Sequence, residues 1–372
     1  MFNYIYNFYY EWWKNIDKKI FMLIIFLFIL GLFFSLVSTS LIVSDKLDTN
    51  NYFFFFKHLA YIFIGLIVLI FFSSISEENL FKISFYLFLI SLFFLFLVPI
   101  LGTEVKGSKR WLNFFFLPRF QPIELVKPFI IIFITTILCS EKNFNIYFKY
   151  LLTFIAIVPV CLLLMMQPDI GQTLLIFLAW ATLVFVSGIS LLIILTFFSF
   201  SLLSLVYMVF FIPKFIYIKK RLLSFVNPND GTHNFQSDKA IDAISSGSYF
   251  GKGIGEGTLK NRVPEAHTDY IIAVISEEFG VVAIVLLLVL FLFFIYIVFQ
   301  KIYLEKDEKI KLVLTGTICV IIFQVLIHVG VNIRLFPTTG MTLPFLSYGG
   351  SSIVGVSILS GVILNLTKRK ID

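Results

Sequence analysis

The sequence predicts an all-α polytopic membrane protein of about ten transmembrane helices, with a long structured periplasmic loop between the seventh and the eighth. Composition carries the class. Of 372 residues 59% are hydrophobic and 14% charged, and mean hydropathy is +0.97, whereas soluble domains carry roughly a quarter charged residues. Apolar runs long enough to cross ~30 Å of hydrocarbon as helix recur along the whole chain. The 48 phenylalanines read as lipid-facing and core filler. The placement of the basic residues supplies the rest of the topology.

The N-terminal segment 1–19 is expected to be cytoplasmic, with Lys14, Lys18 and Lys19 ahead of an apolar run over 20–42. That run exceeds the roughly 7 to 15 residues of a signal-peptide core and lacks an A-x-A-like ending, so it reads as an uncleaved first span. Further spans are expected over 58–75, 81–101, 122–139, 149–166, 171–187, 189–212, 268–299, 310–333 and 344–366. An even number places both termini on one side. Lys301, Lys306, Lys309 and Lys311, with Lys368, Arg369 and Lys370 in a tail over 367–372, mark that side as cytoplasmic. The chain, 1–372, reads as one membrane domain without an internal repeat. Cys139, Cys161 and Cys319 sit in apolar runs with no Cys/His cluster nearby, which predicts packing rather than disulfides or a metal site.

Two loops expected on the outer side run against this charge pattern. The 102–122 loop carries Lys106, Lys109, Arg110 and Arg119; the 213–267 loop carries Lys214, Lys219, Lys220, Arg221, Lys239, Lys252, Lys260 and Arg262. Charge bias sets orientation loosely, so the alternative to accident is a multiply anionic ligand, such as a pyrophosphate, held by these cations. In the longer loop Gly247, Gly251, Gly253, Gly255 and Gly257 permit tight turns or close backbone approach, and AIDAISSG (240–247), shortly after the polar Gln236, has helical periodicity suited to a membrane surface. A structured loop of this length is usually functional.

Carboxylates then collect where the next span begins. In PEAHTDYIIAVISEE (264–278), Asp269 is either a helix N-cap or an outward-facing reactive carboxylate. Glu277 and Glu278 lie eight and nine residues on, about 12 to 14 Å along a helix. Carboxylates at that depth normally face protein or a water-filled cavity, which predicts a polar pocket at the head of this helix, with Glu265 and His267 beside it. QPDIG (167–171) adds Asp169 at another outer turn. Gln121 and Glu124 open the fourth span, and GMTLPFLSYGGSS (340–352), with Ser347, reads as a broken entry into the last one.

KGSKRW with QPIELVKP, QPDIGQTLL, FQSDKAIDAISSG, GKGIGEGTLKNRVPEAHTDYIIAVISEEFG and PTTGMTLPFLSYGGSS together resemble, in order and spacing, the SEDS family of bacterial peptidoglycan polymerases over nearly the whole chain. Within it, GEGTLKNRVPEAHTDYI, GMTLPFLSYGGSS and the WWKNIDKKIF lead look like the cell-division branch of alphaproteobacterial type more than the rod-elongation branch. The resemblance implies a glycosyltransferase polymerising lipid II at the outer face of the cytoplasmic membrane, at the division septum, and releasing undecaprenyl pyrophosphate. It implies as partners a class B penicillin-binding transpeptidase of the FtsI type and other divisome proteins, with no nucleic acid. The family's essential acid corresponds to Asp269, its basic residue in GS-x-RW to Arg110, and the lysine after QPSE to Lys127. Two positions depart from the pattern: Ile123 replaces the QPSE serine, and Gly247 is followed by Ser248.

The residues fit that chemistry. A sugar hydroxyl attacking an anomeric carbon needs one base within hydrogen-bond reach, expected to be Asp269. The acidic pyrophosphate leaving group needs cations rather than a protonated second carboxyl, expected to be Arg110, Lys109 and Lys127, with Arg221, Lys239, Lys252 and Arg262. No cofactor is required; Mg2+ or Mn2+ is compatible with the pyrophosphate, but no ligand cluster demands it. Three alternatives stay open: an elongation polymerase, a lipid II flippase, and a noncatalytic divisome scaffold.

Overall fold

A computed structural model describes residues 2–39, 52–105, 108–113, 118–141, 144–226 and 235–368. An N-terminal helix α1 (Phe2–Asn15) leads through Asp17 into α2 (Lys18–Thr39), α3 (Phe53–Ser74) and α4 (Glu77–Leu101). A two-stranded antiparallel hairpin of β1 (Thr103–Val105) and β2 (Ser108–Trp111) follows. Then come α5 (Ile123–Leu138), α6 (Ile146–Met166), α7 (Ile170–Val186), α8 (Leu191–Phe211), α9 (Ile216–Val226), α10 (Phe235–Gly247), α11 (Ile271–Leu304), α12 (Glu308–Asn332) and α13 (Gly350–Leu366). Each of the ten apolar runs lies on one of these helices. Seven of them are long and apolar enough to cross a membrane by length and composition, and α7 and α13 are shorter apolar helices.

The interior is helix on helix. Helices α12 and α13 are buried on nearly all sides, which is why both read as apolar all round rather than amphipathic. Helix α13 packs along α3 and α5, and α12 along α7 and α5. By contrast α8 buries only Val209. Its long apolar face is left for lipid.

Three details depart from the sequence expectation. Segment 1–19 contains a helix, and the turn after it is fixed by Asp17, whose Oδ1 accepts from the Lys19 and Ile20 amides while Oδ2 pairs with Lys301 at 2.6 Å. The last span starts as helix at Gly350, not at 344, because 337–349 is spent lining a cavity. Residues Lys106, Arg369 and Lys370 lie outside the described residues.

The third departure matters most. The run 268–299 is not one continuous helix: Gly280, at φ 79° and ψ 177°, interrupts α11. Only glycine takes up such a backbone without strain. The break is filled by the glycine-rich loop. Ser248 and Tyr249 carbonyls accept from the Val281 and Val282 amides beyond the break, while the Lys252 and Gly253 amides donate to the Glu277 and Glu278 carbonyls before it. A helix interrupted within an apolar bundle leaves backbone groups that water does not reach. The loop supplies their partners.

Candidate active site

A cavity of about 700 Å³ opens at the hairpin end of the bundle, lined from β2, the 118–121 turn, α5, α7, α9, α10, the 264–270 turn and the 338–352 segment. Its architecture follows from local rules. Side chains alternate along a strand, so β2 turns Arg110 inward, 9% exposed, and leaves Lys109 exposed opposite Glu104. The Arg110 guanidinium is clamped by backbone: Nη2 donates to Pro168 O at 2.6 Å, Nη1 to Thr339 O at 3.3 Å and Nε to Gln167 O at 3.4 Å. Asp169 Oδ2 lies 3.5 Å from Nε. Five N–H groups in a fixed fork make this residue a strut as well as a cation. Arg221 of α9 does the same for the neighbouring carbonyl, donating from Nη1 to Thr338 O at 2.8 Å.

Asp269 is placed by its backbone. Its carbonyl accepts from Asn332 Nδ2 at the end of α12, 3.1 Å, and the preceding residue's carbonyl accepts from Ser347 Oγ, 2.6 Å. Ser347 Oγ also accepts from the Leu343 amide, and the Tyr348 amide donates to the His267 carbonyl. The 264–270 turn is thereby zipped to 343–348. The N-cap position of α11 is Tyr270, whose side chain makes no cap hydrogen bond, and Asp269 precedes it. Gly340 sits between the two charged groups. A Cβ built there would lie 3.2 Å from Arg110 Nη1 and 3.5 Å from Asp269 Oδ2. The guanidinium and the carboxylate therefore face the same small space, which glycine keeps empty.

Of the residues singled out from sequence, Asp269, Arg110, Arg119, Arg221, Glu265, Gln121, Glu124 and Gln236 line the cavity. Glu265 accepts the Thr268 hydroxyl through Oε2. His267 stands just behind the wall, its ring centroid 5.6 Å from Tyr348 and 5.9 Å from Phe54. Asp169 caps α7, accepting from the Gln172 amide and from Gln121 Nε2. Burial raises its carboxyl above the ordinary range, with Arg110 pulling the other way.

Other residues are elsewhere. Glu277 and Glu278 do not open onto the cavity: Glu277 accepts the Leu259 and Lys260 amides, and Glu278 accepts the Gly255 amide and pairs with Lys260. The cavity lies at the head of this helix, but the two carboxylates form a clasp outside it, because Gly280 interrupts the helix and the glycine loop fills the break against them. Lys252 is 3.8 Å from Glu277 in the same clasp. Lys239 pairs with Asp242 on α10 at 2.8 Å. Lys109 and Arg262 are exposed and off the cavity wall. Lys127 is 1% exposed, and its Nζ pairs with Glu124 at 2.6 Å and Gln324 at 3.0 Å. It stands behind Glu124 rather than in the cavity.

The cavity also contains residues that sequence reasoning passed over, notably Lys57, Tyr61, Gln172, Tyr270 and Gly340. A signal existed for two of them. Lys57 interrupts an apolar run, and Gln172 is an amide inside one, where polar groups are rare and functional. Tyr270 and Gly340 carry no such mark.

The family profile described as "Cell cycle protein", covering FtsW, RodA and SpoVE, matches residues 17–371. The chain belongs to the FtsW/RodA/SpoVE family. It is 30% identical to a probable peptidoglycan glycosyltransferase FtsW of Caulobacter vibrioides, over 96% of this chain and 91% of that one. It is 32% identical to the protein of the same name in Pseudomonas fluorescens, over 95% and 88%. Among solved structures, a chain of a peptidoglycan synthase complex that coordinates polymerization and crosslinking superposes with a TM-score of 0.77 at 26% identity, covering 95% of this chain and 97% of that one. The rod shape determining protein RodA of Thermus thermophilus gives 0.69 at 25%, over 95% and 96%. Like its family, this chain is a multi-pass membrane protein. Residues from the KGSKRW, QPIELVKP, QPDIGQTLL, PEAHTDY and PTTGMTLPFLSYGGSS stretches line the cavity, whereas GKGIGEGTLK and ISEE form the clasp.

Proposed function

We propose that this chain is a peptidoglycan glycosyltransferase of the cell-division branch, polymerising lipid II at the outer face of the inner membrane. The reading rests on one observation above all. An acidic and a basic side chain from motifs more than 150 residues apart face the same glycine-lined space in a cavity that opens at one end of the bundle. In the reaction, a sugar hydroxyl of one lipid II attacks the anomeric carbon of another. The new glycosidic C–O bond forms as the anomeric C–O bond to phosphate breaks, the Asp269 carboxylate takes the hydroxyl proton, and undecaprenyl pyrophosphate leaves with its electron pair. Arg110 and Arg221 face the developing charge; both are already oriented by backbone carbonyls, so little reorganisation is needed as that charge grows. Among the described residues no group of three or more His, Cys, Asp or Glu converges as a metal site. The pyrophosphate charge is assigned to protein cations that line the cavity.

The decisive measurement is glycan synthesis from purified lipid II by wild type and Asp269→Asn, with thermal stability recorded in parallel. Asn caps a helix about as well as Asp, so the Asn variant should keep wild-type stability while losing about 10²- to 10⁴-fold in rate. An active Asn variant refutes the assignment of the base.

The chain is further proposed to work at the septum with a class B penicillin-binding transpeptidase of the FtsI type and other divisome proteins. Its similarity to a complex that joins polymerization to crosslinking supports such a partner. Both termini are placed in the cytoplasm. A cysteine at Tyr249, 74% exposed, should react with an impermeant maleimide in cells with a permeabilised outer membrane, and one at Lys306 should not. The reverse pattern would move the cavity to the wrong side for this substrate.

A further inference from the structure

The floor of the cavity carries a polar network that the reaction above does not use. Gln172, on the first turn of α7, is 2% exposed and Glu124, on the first turn of α5, 3%; both line the cavity that holds Asp269. Gln172 Nε2 donates to Glu124 Oε1 at 3.1 Å. Its own Oε1 accepts no hydrogen bond among the described residues. A buried amide oxygen without a donor is costly. Rotating the amide gives no relief, since it would press the carbonyl oxygen against the carboxylate.

Glu124 in turn is engaged through its other oxygen. Lys127 Nζ lies 2.6 Å from Oε2 and 3.0 Å from Gln324 Oε1, while Gln324 Nε2 donates to Thr342 O at 3.0 Å. The chain of contacts runs from α12 through α5 to α7, and it fixes which atom of Gln172 is left over. The floor therefore holds acceptors just beneath its surface: the Gln172 oxygen, buried and unpartnered among the described residues, and the Glu124 oxygens. The arginines lie on the wall by the 338–340 segment. A pyrophosphate at the floor would meet a carboxylate. A sugar hydroxyl or an acetamido N–H would meet what it needs.

We propose that Gln172 and Glu124 form a subsite for a hydrogen-bond donor of the substrate's amino sugar, with Lys127 as a positioning residue that acts through Glu124. The proposal rests on the glycosyltransferase reading and deepens it, for it sets the sugar end of the substrate on the floor and the pyrophosphate end against Arg110 and Arg221.

The test compares lipid II with two analogues, one N-methylated at the acetamido groups and one with a ring hydroxyl replaced by hydrogen, using full-length purified protein. Wild type should discriminate against one analogue by about ten- to hundredfold in kcat/KM, the value of a hydrogen bond to a buried polar or charged acceptor. Which analogue suffers identifies the donor as N–H or O–H. Gln172→Leu should lose most of that discrimination and raise KM for lipid II more than it lowers kcat. Lys127→Met should do the same, and Lys127→Arg should restore part of it, which a purely structural lysine would not. Gln172→Met, closer in shape, serves if the leucine variant folds poorly. Equal use of all three substrates by wild type, or full discrimination by a folded Gln172 variant, overturns the subsite. Wild type that makes no glycan from any substrate overturns the glycosyltransferase reading itself.

Discussion

Replacing Gly340 by alanine places one methyl group where the Arg110 guanidinium and the Asp269 carboxylate meet, and its two effects separate cleanly. The first is backbone strain. Gly340 has φ +72°, and a side chain in the left-handed region costs about 1–2 kcal/mol. The second is displacement. The new Cβ would lie 3.2 Å from Arg110 Nη1 and 3.5 Å from Asp269 Oδ2, inside or at the edge of the ~3.5–4.0 Å optimum for such contacts. The guanidinium must retreat by a few tenths of an ångström, yet it is held by the Pro168, Thr339 and Gln167 carbonyls. A misplacement approaching 1 Å at a reacting centre costs about 10²-fold, so a loss of roughly ten- to hundredfold in glycan synthesis is expected. Gly188 is the matched control, because its φ is +97° with nothing within 4 Å of a built Cβ. Gly188→Ala should lose about the same stability and no rate. Thermal unfolding in detergent and lipid II polymerisation, run on both variants, read the two effects. Equal polymerisation by Gly340→Ala and Gly188→Ala would show that Arg110 and Asp269 do not act across this space.

Two further substitutions probe the frame around the cavity. In Glu277→Gln, the new amide NH2 must confront the Leu259 or Lys260 amide that Glu277 now accepts. The clasp should weaken by about 1–3 kcal/mol, seen as faster hydrogen exchange and proteolysis around the exposed Tyr249 and Phe250; unchanged protection would remove the clasp assignment. Asp17 is pushed up by burial, but the Lys301 hydrogen bond and the Ile20 and Lys19 amides outweigh this and hold it below its ordinary 3.8. A depressed carboxylate stabilises above the unfolded value, and that stability is lost as pH falls through the folded one. Wild type should therefore lose stability in that acid window, and Asp17→Asn should flatten the loss while lowering stability at pH 7. Parallel pH profiles for the two would argue against the pair.

The helices, their order and the motif residues were legible in the sequence because each is a local property. A run of twenty apolar residues has few alternatives in hydrocarbon. A carboxylate at the head of such a run is conspicuous whatever surrounds it. The sequence alone also determined that Asp269, Arg110 and Arg221 were worth watching. Which charges share a cavity was decided by tertiary structure. Glu277 and Asp269 lie eight residues apart on one predicted helix, yet a single glycine at 280 breaks that helix, admits the 248–260 loop and turns Glu277 to its amides. Lys127 and Arg110 read alike as cations, but the lysine pairs with Glu124 one turn back on α5 and, only through packing against α12, with Gln324, while strand alternation sends the arginine to the cavity. Gly340 and Tyr270 lie in quoted motifs but carry no charge that marks either of them for the cavity. A charge is written in one residue, whereas its partner is fixed by contacts between segments far apart in the chain, and those exist only once the bundle has closed.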